Sequence, residues 1–254
     1  MSMQQSYAQL SEKLTAALSL NQPPVAISFT DDLSAGVSTP ASPVAAGCRF
    51  WQDAATATFV TVAEDHNNCA IGVHTHNLEP SPAQQADLMN ALKVFGDLGY
   101  VRPEDLPLIP VLDSRSKYVV YSPLDKTSLP PDVVLLFVSS NQTLVLSEAV
   151  QQVENDNPPA MGRPACAVIP QVINTGRAAL SLGCCGARAY LDVLTDDVAV
   201  FAIPGARIDA YVDRIIALSK ANQVLSRFHH MRRHDIDSGD SPTIQQSFEA
   251  FMAS

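Results

Sequence analysis

The chain has 254 residues, 46% apolar and 17% charged, with a formal net charge of −10 and a pI of about 4.9. That composition excludes a disordered chain, and the acidic balance argues against nucleic acid or an anionic membrane as partner, since both need a basic footprint. No apolar run approaches the ~20 residues of a membrane span. Residues 1–7 lack the basic and apolar segments of a signal peptide, so the expected compartment is the cytoplasm, where thiols stay reduced.

In chain order, Tyr7, Leu10, Leu14 and Leu18 mark an amphipathic helix that Pro23 and Pro24 stop. Val25 to Phe29 reads as a strand. A loop rich in Pro, Ser and Ala then runs to Gly47. Arg49 to Ala55 predicts a short helix, Thr58 to Val62 a β-branched strand, and Glu64 to Asn68 a polar turn. Ser81 and Pro82 open a helix with Leu88, Leu92 and Phe95 on its inner face, ended by Gly96 or Gly99. Strands follow at Tyr118–Tyr121 and Val133–Val138, then a helix over Leu144–Val153 and a loop from Asn155 to Pro164. Ala178–Leu182 is a strand, Cys184–Tyr190 a turn entering a helix, and Val198–Ile203 a further strand. The longest helix comes after Pro204 and Gly205, with Ile208, Tyr211, Val212, Ile215, Leu218 and Leu225 facing inward. A polar loop at Asp237–Asp240 leads to a last short helix.

The order of these elements repeats. A strand follows paired prolines at Val25 and at Val133; a cysteine, a short helix, a strand and a second cysteine with glycine come next; each half then has a strand meeting proline, at Pro123 and Pro204. The sequence therefore predicts one domain over 1–254, of α/β or α+β class. It has a mixed sheet with packed helices and an internal duplication over about 20–125 and 126–234.

Four of the five cysteines fall into this scheme: Cys48 and Cys69 with twenty residues between them, Cys166 and Cys184 with seventeen. A pseudo-two-fold axis would gather four thiols, the donor set that selects soft metals and iron–sulfur clusters. Gly72 and Gly186 beside the second cysteines let backbone N–H groups approach sulfur. Arg49, Arg163 and Arg188 stand near Cys48, Cys166 and Cys184, where a guanidinium would offset thiolate charge. The close C-x-x-C spacing of a zinc ribbon is missing, so any site is assembled by the whole fold. Cys185 has no counterpart in the first half and is expected to be a core filler or a spare thiol. The alternative leaves all the cysteines as small hydrophobes.

Cys48-Arg-Phe-Trp51, Gly162-Arg-Pro164 leading to Cys166, and Ser181-Leu-Gly-Cys184 with Gly186-Ala-Arg188-Ala-Tyr190 resemble the DUF169 family of prokaryotic proteins, a family of unknown function. Ile203-Pro-Gly205 and Ala221-Asn222 fit it as well, and the match covers nearly the whole chain. The resemblance implies cysteine at positions 48, 69, 166 and 184 and omits Cys185; the family's usual proline after the second cysteine is here Ala70. It implies no activity.

His74 and His76 share a face if their segment is extended. They are expected to lie in a polar loop, with either imidazole able to replace a missing thiolate. No phosphate-binding glycine motif is present. The resulting expectation is a cytoplasmic protein holding a Cys-ligated [4Fe–4S] cluster, with zinc or no metal as alternatives, for redox or cofactor-related work. Its partner would be a redox protein or a second copy of the chain, not nucleic acid or a membrane. The alternatives are a small-anion or other-metal binding protein with structural cysteines, or a thiol-dependent enzyme.

Overall fold

The computed structural model describes residues 6–33, 47–66 and 68–253. Most of the Pro/Ser/Ala loop before Gly47, the first five residues and Asn67 lie outside them. The architecture is α/β: seven strands form one mixed sheet with helices packed on both faces. In chain order the strands are β1 (Val25–Thr30), β2 (Phe59–Thr61), β3 (Tyr118–Pro123), β4 (Val133–Val138), β5 (Ala160–Met161), β6 (Ala179–Ser181) and β7 (Ala199–Pro204). Their spatial order is β2-β3-β1-β4-β7-β6-β5, antiparallel throughout except for the β5–β6 pair.

The two halves of this sheet repeat one another's register. Val25 of β1 faces Pro123 of β3, and Val133 of β4 faces Pro204 of β7. Phe59 and Thr61 of β2 meet Tyr121 and Val119, just as Ala179 and Ser181 of β6 meet Ala202 and Val200. The join between halves is symmetric in itself, with Val25 on Leu135, Ile27 on Val133 and Ala26 on Val134 at the centre. One turn bond recurs too: Leu124 N–H donates to Pro24 O at 2.8 Å, and Gly205 N–H to Asp132 O at 3.0 Å.

Among the described residues the α-helices are α1 (Tyr7–Leu18), α2 (Arg49–Asp53), α3 (Ala70–Thr75), α4 (Pro82–Asp97), α5 (Ser140–Glu154), α6 (Val168–Thr175), α7 (Ile208–Asp237) and α8 (Ile244–Ala253). Helix α1 starts where Ser6 and Gln9 form a reciprocal capping box, and its buried side chains Leu10, Leu14 and Leu18 recur every fourth residue. Alternation along the strands sends Ala26, Val134, Leu136, Phe201 and Ile203 to the face covered by α1, α5 and α7. The opposite face carries Val25, Ile27, Val119, Tyr121, Leu135 and Ala202, together with the cysteine segments and α2 and α6. Phe50 and Trp51 anchor α2 there at 1% and 0% exposure. Burying a side chain of that size is worth about 2–3 kcal/mol.

Four expectations are corrected. His74 and Thr75 belong to α3, not to an extended loop, and His76 caps it. A helical advance of about 100° per residue sends His74 to solvent and His76 into the core. The loop from Asn155 to Pro164 contains β5, a two-residue strand too short to show a period. Helix α4 lies outside the sheet: Leu88, Leu92 and Phe95 are only half-buried and Met89, Val94 and Leu98 are exposed. Leu225 of α7 is likewise exposed, beyond the point where the helix leaves the core. No described helix is long and apolar enough to cross a membrane.

Candidate functional site

Each cysteine sits where an irregular turn meets a helix. Cys48 precedes α2, Cys69 caps α3, Cys166 lies in the 3-10 turn Ala165–Ala167 before α6, and Cys184 precedes the π-helical turn Gly186–Tyr190. All five thiols are free. Cys48 and Cys166 are buried at 8% and 7% exposure, Cys69 and Cys184 pack against the same core cluster, and Cys185 is exposed.

The second cysteine of each half is held alike. Cys69 Sγ accepts the N–H of Gly72 at 3.3 Å, and Cys184 Sγ accepts that of Ala187 at 3.4 Å, three residues on in both cases. Gly47 N–H also reaches the Cys69 sulfur. A Cβ on Gly72 would stand 2.9 Å from Cys69 Sγ, so a hydrogen is needed there; at Gly186 it would clear Cys184 Sγ at 3.9 Å. Across the halves, Thr75 Oγ1 of α3 contacts Cys166 Sγ at 3.3 Å.

The four thiols share one electrostatic environment. Burial pushes Cys48, Cys69 and Cys166 above the ordinary thiol range, and negative charge on the neighbouring cysteines pushes them further. This coupling runs through all six pairings of Cys48, Cys69, Cys166 and Cys184. Tyr121 is held in the same field: its hydroxyl, fully buried, is raised by burial and then by Cys166, Cys69 and Cys48. Among the described residues, no three His, Cys, Asp or Glu side chains converge tightly enough to hold a single metal ion.

On this side of the sheet several buried polar atoms have no hydrogen-bond partner in the protein. They are the Tyr121 hydroxyl, Nδ1 of His66, both ring nitrogens of His76 and Nε1 of Trp51. The Tyr121 ring is stacked on Phe59 at 5.4 Å and packed by Phe50 at 5.5 Å, which fixes where its hydroxyl points. Burial, with His76 as the second cause, lowers His66 to a pKa of about 3, and burial lowers His76 to about 4. Both rings are therefore neutral near pH 7. Each such unpaired group costs about 1–3 kcal/mol if nothing binds it.

The three arginines are engaged elsewhere. Arg49 lies 3.8 Å from Asp53 on the exposed side of α2. Arg163 covers the ring of Tyr100 at 4.2 Å, and the Tyr100 hydroxyl contacts Cys185. Arg188 donates to the carbonyls of Leu182, Val198 and Thr195, tying together the loop after β6. The sequence reading missed His66, Thr75 and Tyr121. His66 lay hidden in a polar turn, and Tyr121 carried one available signal, its inward phase with Val119 on β3.

The model of the DUF169 family, described as uncharacterised ArCR, matches residues 13–214. No curated protein and no solved structure matches the chain.

Proposed function

The chain belongs to the DUF169 family, and we propose that this member holds a polynuclear iron–sulfur centre, a [4Fe–4S] cluster, on Cys48, Cys69, Cys166 and Cys184. The observation that carries this reading is the shared field of four thiols drawn from both halves, two of them buried and two partly buried, edged by a donor hydroxyl that has no protein partner. Four thiolates around one zinc, at Zn–S of about 2.3 Å, would have to converge closely. Thiols that share a field without closing on one point suit a larger centre. The hydroxyl of Tyr121 is the kind of donor that hydrogen-bonds to cluster sulfur and adjusts its potential.

The same burial argues against Cys48, Cys69 or Cys166 as the nucleophile of a thiol-dependent enzyme. Cys48, Cys69 and Cys166 are kept protonated near neutrality, which makes them poor nucleophiles. Metal binding expels those protons and turns the repulsion among the thiolates into ligation. When bound, the centre supplies one-electron chemistry. The chain's own residues ligate it, exclude water and donate one hydrogen bond. The protein would then work in electron transfer, or carry the centre to a partner, in the reducing cytoplasm. The matched registers of the two half-sheets support an internal duplication as the origin of the paired cysteines.

Single Cys→Ser variants test the ligand set. After oxygen-free purification, iron falls from ~4 per chain to below one at positions 48, 69, 166 and 184, whereas Cys185→Ser keeps the full amount. Equal loss at Cys185, or undiminished iron at two of the four, contradicts the proposal.

A further inference from the structure

Helix α3 presents its side chains to two sides. Cys69 packs against the core cluster, and Thr75 Oγ1 meets Cys166 Sγ at 3.3 Å. Ala70, Val73, His74 and, just past the helix, Asn77 have the spacing of one helical face, and they line a cleft of about 220 Å³. The first turns of α4 form another wall. Gln84 is fixed there, since its carboxamide accepts the N–H of Ser81 at 2.9 Å and donates to the carbonyl of Ala63 at 2.7 Å. Leu88, one of the half-buried side chains of α4, lines the same cleft.

The third wall is the chain before β3, and it is clamped in place. Leu112 N–H donates to Thr75 O at 2.9 Å, and the Asn77 carboxamide to Leu112 O at 3.0 Å. From the other half, Asn174 donates to Val111 O at 2.7 Å and accepts the N–H of Asp113 at 3.0 Å. This backbone adds Val111 to the apolar lining and brings the guanidinium of Arg115 to the cleft. That guanidinium is lightly held. Asn77 Oδ1 accepts from it at 3.4 Å, and Glu79 lies 3.7 Å away. The Arg115 and Glu79 side chains are 53% and 83% exposed, so their ion pair is worth little. An arginine has five N–H donors, more than these two contacts use.

We infer that this cleft binds a small monocarboxylic acid, with its carboxylate on Arg115 and its apolar body among Val73, Leu88 and Val111. A guanidinium receives a carboxylate through two parallel N–H···O bonds, and His74 offers an imidazole N–H to the same cleft. Glu79, close to the guanidinium, repels a second negative charge, which favours a carboxylate over a phosphate. Size sets the body. An apolar cavity of about 150 Å³ holds a benzene ring, so 220 Å³ suits one ring or a short branched chain beside the carboxylate. Hydrogen bonds fix the walls before a ligand arrives, so binding orders little of the protein. The cleft uses the face of α3 turned away from Cys166, and the inference stands whether or not the cysteines hold a cluster.

Titration calorimetry of the full chain near neutral pH tests this with benzoate and isovalerate, each compared with its uncharged alcohol, benzyl alcohol or isoamyl alcohol. At least one acid saturates a single site, and its alcohol binds at least about tenfold more weakly, as expected when a charge-assisted pair is lost. Arg115→Ala, a change at an exposed position, brings the acid down to the affinity of its alcohol. Failure of both acids to saturate overturns the inference. So does an alcohol that binds as tightly as its acid, or undiminished affinity in Arg115→Ala. The wild-type comparison of acid with alcohol decides the matter even if Arg115→Ala fails to fold.

Discussion

Acidification from pH 6.5 toward pH 4 strips several kcal/mol of stability from the metal-free protein. The cause is the pair His66 and His76, whose folded pKa values of about 3 and about 4 lie well below the ordinary 6.5. The unfolded chain binds protons at both imidazoles below pH 6.5 and the folded chain does not, so protons pull the equilibrium toward unfolding. The stability is fully present above pH 6.5 and is lost as pH falls toward the folded values. Each imidazole contributes a slope of about 1.4 kcal/mol per pH unit, and both act together down to about pH 4. The facing groups do not offset this: Cys48, Cys69, Cys166 and Tyr121 are all raised and stay neutral across the window. The loss is comparable with the total stability of an ordinary domain, about 5–15 kcal/mol. Urea titrations at pH 7, 6 and 5 measure it. His76→Leu, which copies Leu191 at the corresponding distance after Cys184, should reduce the slope by about half. Stability that is flat between pH 6.5 and 5 would contradict the burial of these rings.

Gly205→Ala is the most damaging single-methyl change expected in the sheet. A Cβ there would lie 1.8 Å from the carbonyl oxygen of Pro131 and 2.6 Å from its carbon. The obstacle is backbone, and the Gly205 N–H is tied to Asp132 O at 3.0 Å, so neither side can yield without parting β4 from β7. Overpacking of that kind costs at least about 3 kcal/mol, or roughly 10 °C of Tm for a chain of this size. Gly162→Ala is the control, since nothing lies within 4 Å of its added carbon; it should stay within about 0.5 kcal/mol of wild type. A Gly205→Ala protein melting with wild type would show that the β4–β7 junction is looser than its register implies.

The sheet was legible because its strands carry strong local marks. Val133–Val138 is apolar throughout, as a strand buried on both faces must be, and Pro123 and Pro204 end β3 and β7 where the halves correspond. Those prolines also anchored the expected repeat of elements. Packing against absent neighbours was not legible. The periodicity of α4 predicts a buried face, yet Leu88, Leu92 and Phe95 are only half-buried. At the candidate site, cysteine spacing was readable from the chain, since paired glycines and matched order left a trace. His66 left none: a histidine in Glu64–Asn68 looks like a solvated turn until Phe50, Thr61 and Gly47 close over it in three dimensions. The arginines are engaged in contacts that their place in the sequence did not announce. Nearness in sequence suggested support for thiolates, and the structure has Arg188 donating to three backbone carbonyls around the loop after β6.

Purification without oxygen, followed by iron and acid-labile sulfide assays on the same sample, bears most directly on whether distant sulfurs serve a common inorganic core. A brown protein with iron and sulfide in equal amounts, ~4 of each per chain, is the predicted result. A colourless protein that holds neither, and takes up neither when both are supplied under reducing conditions, would contradict it.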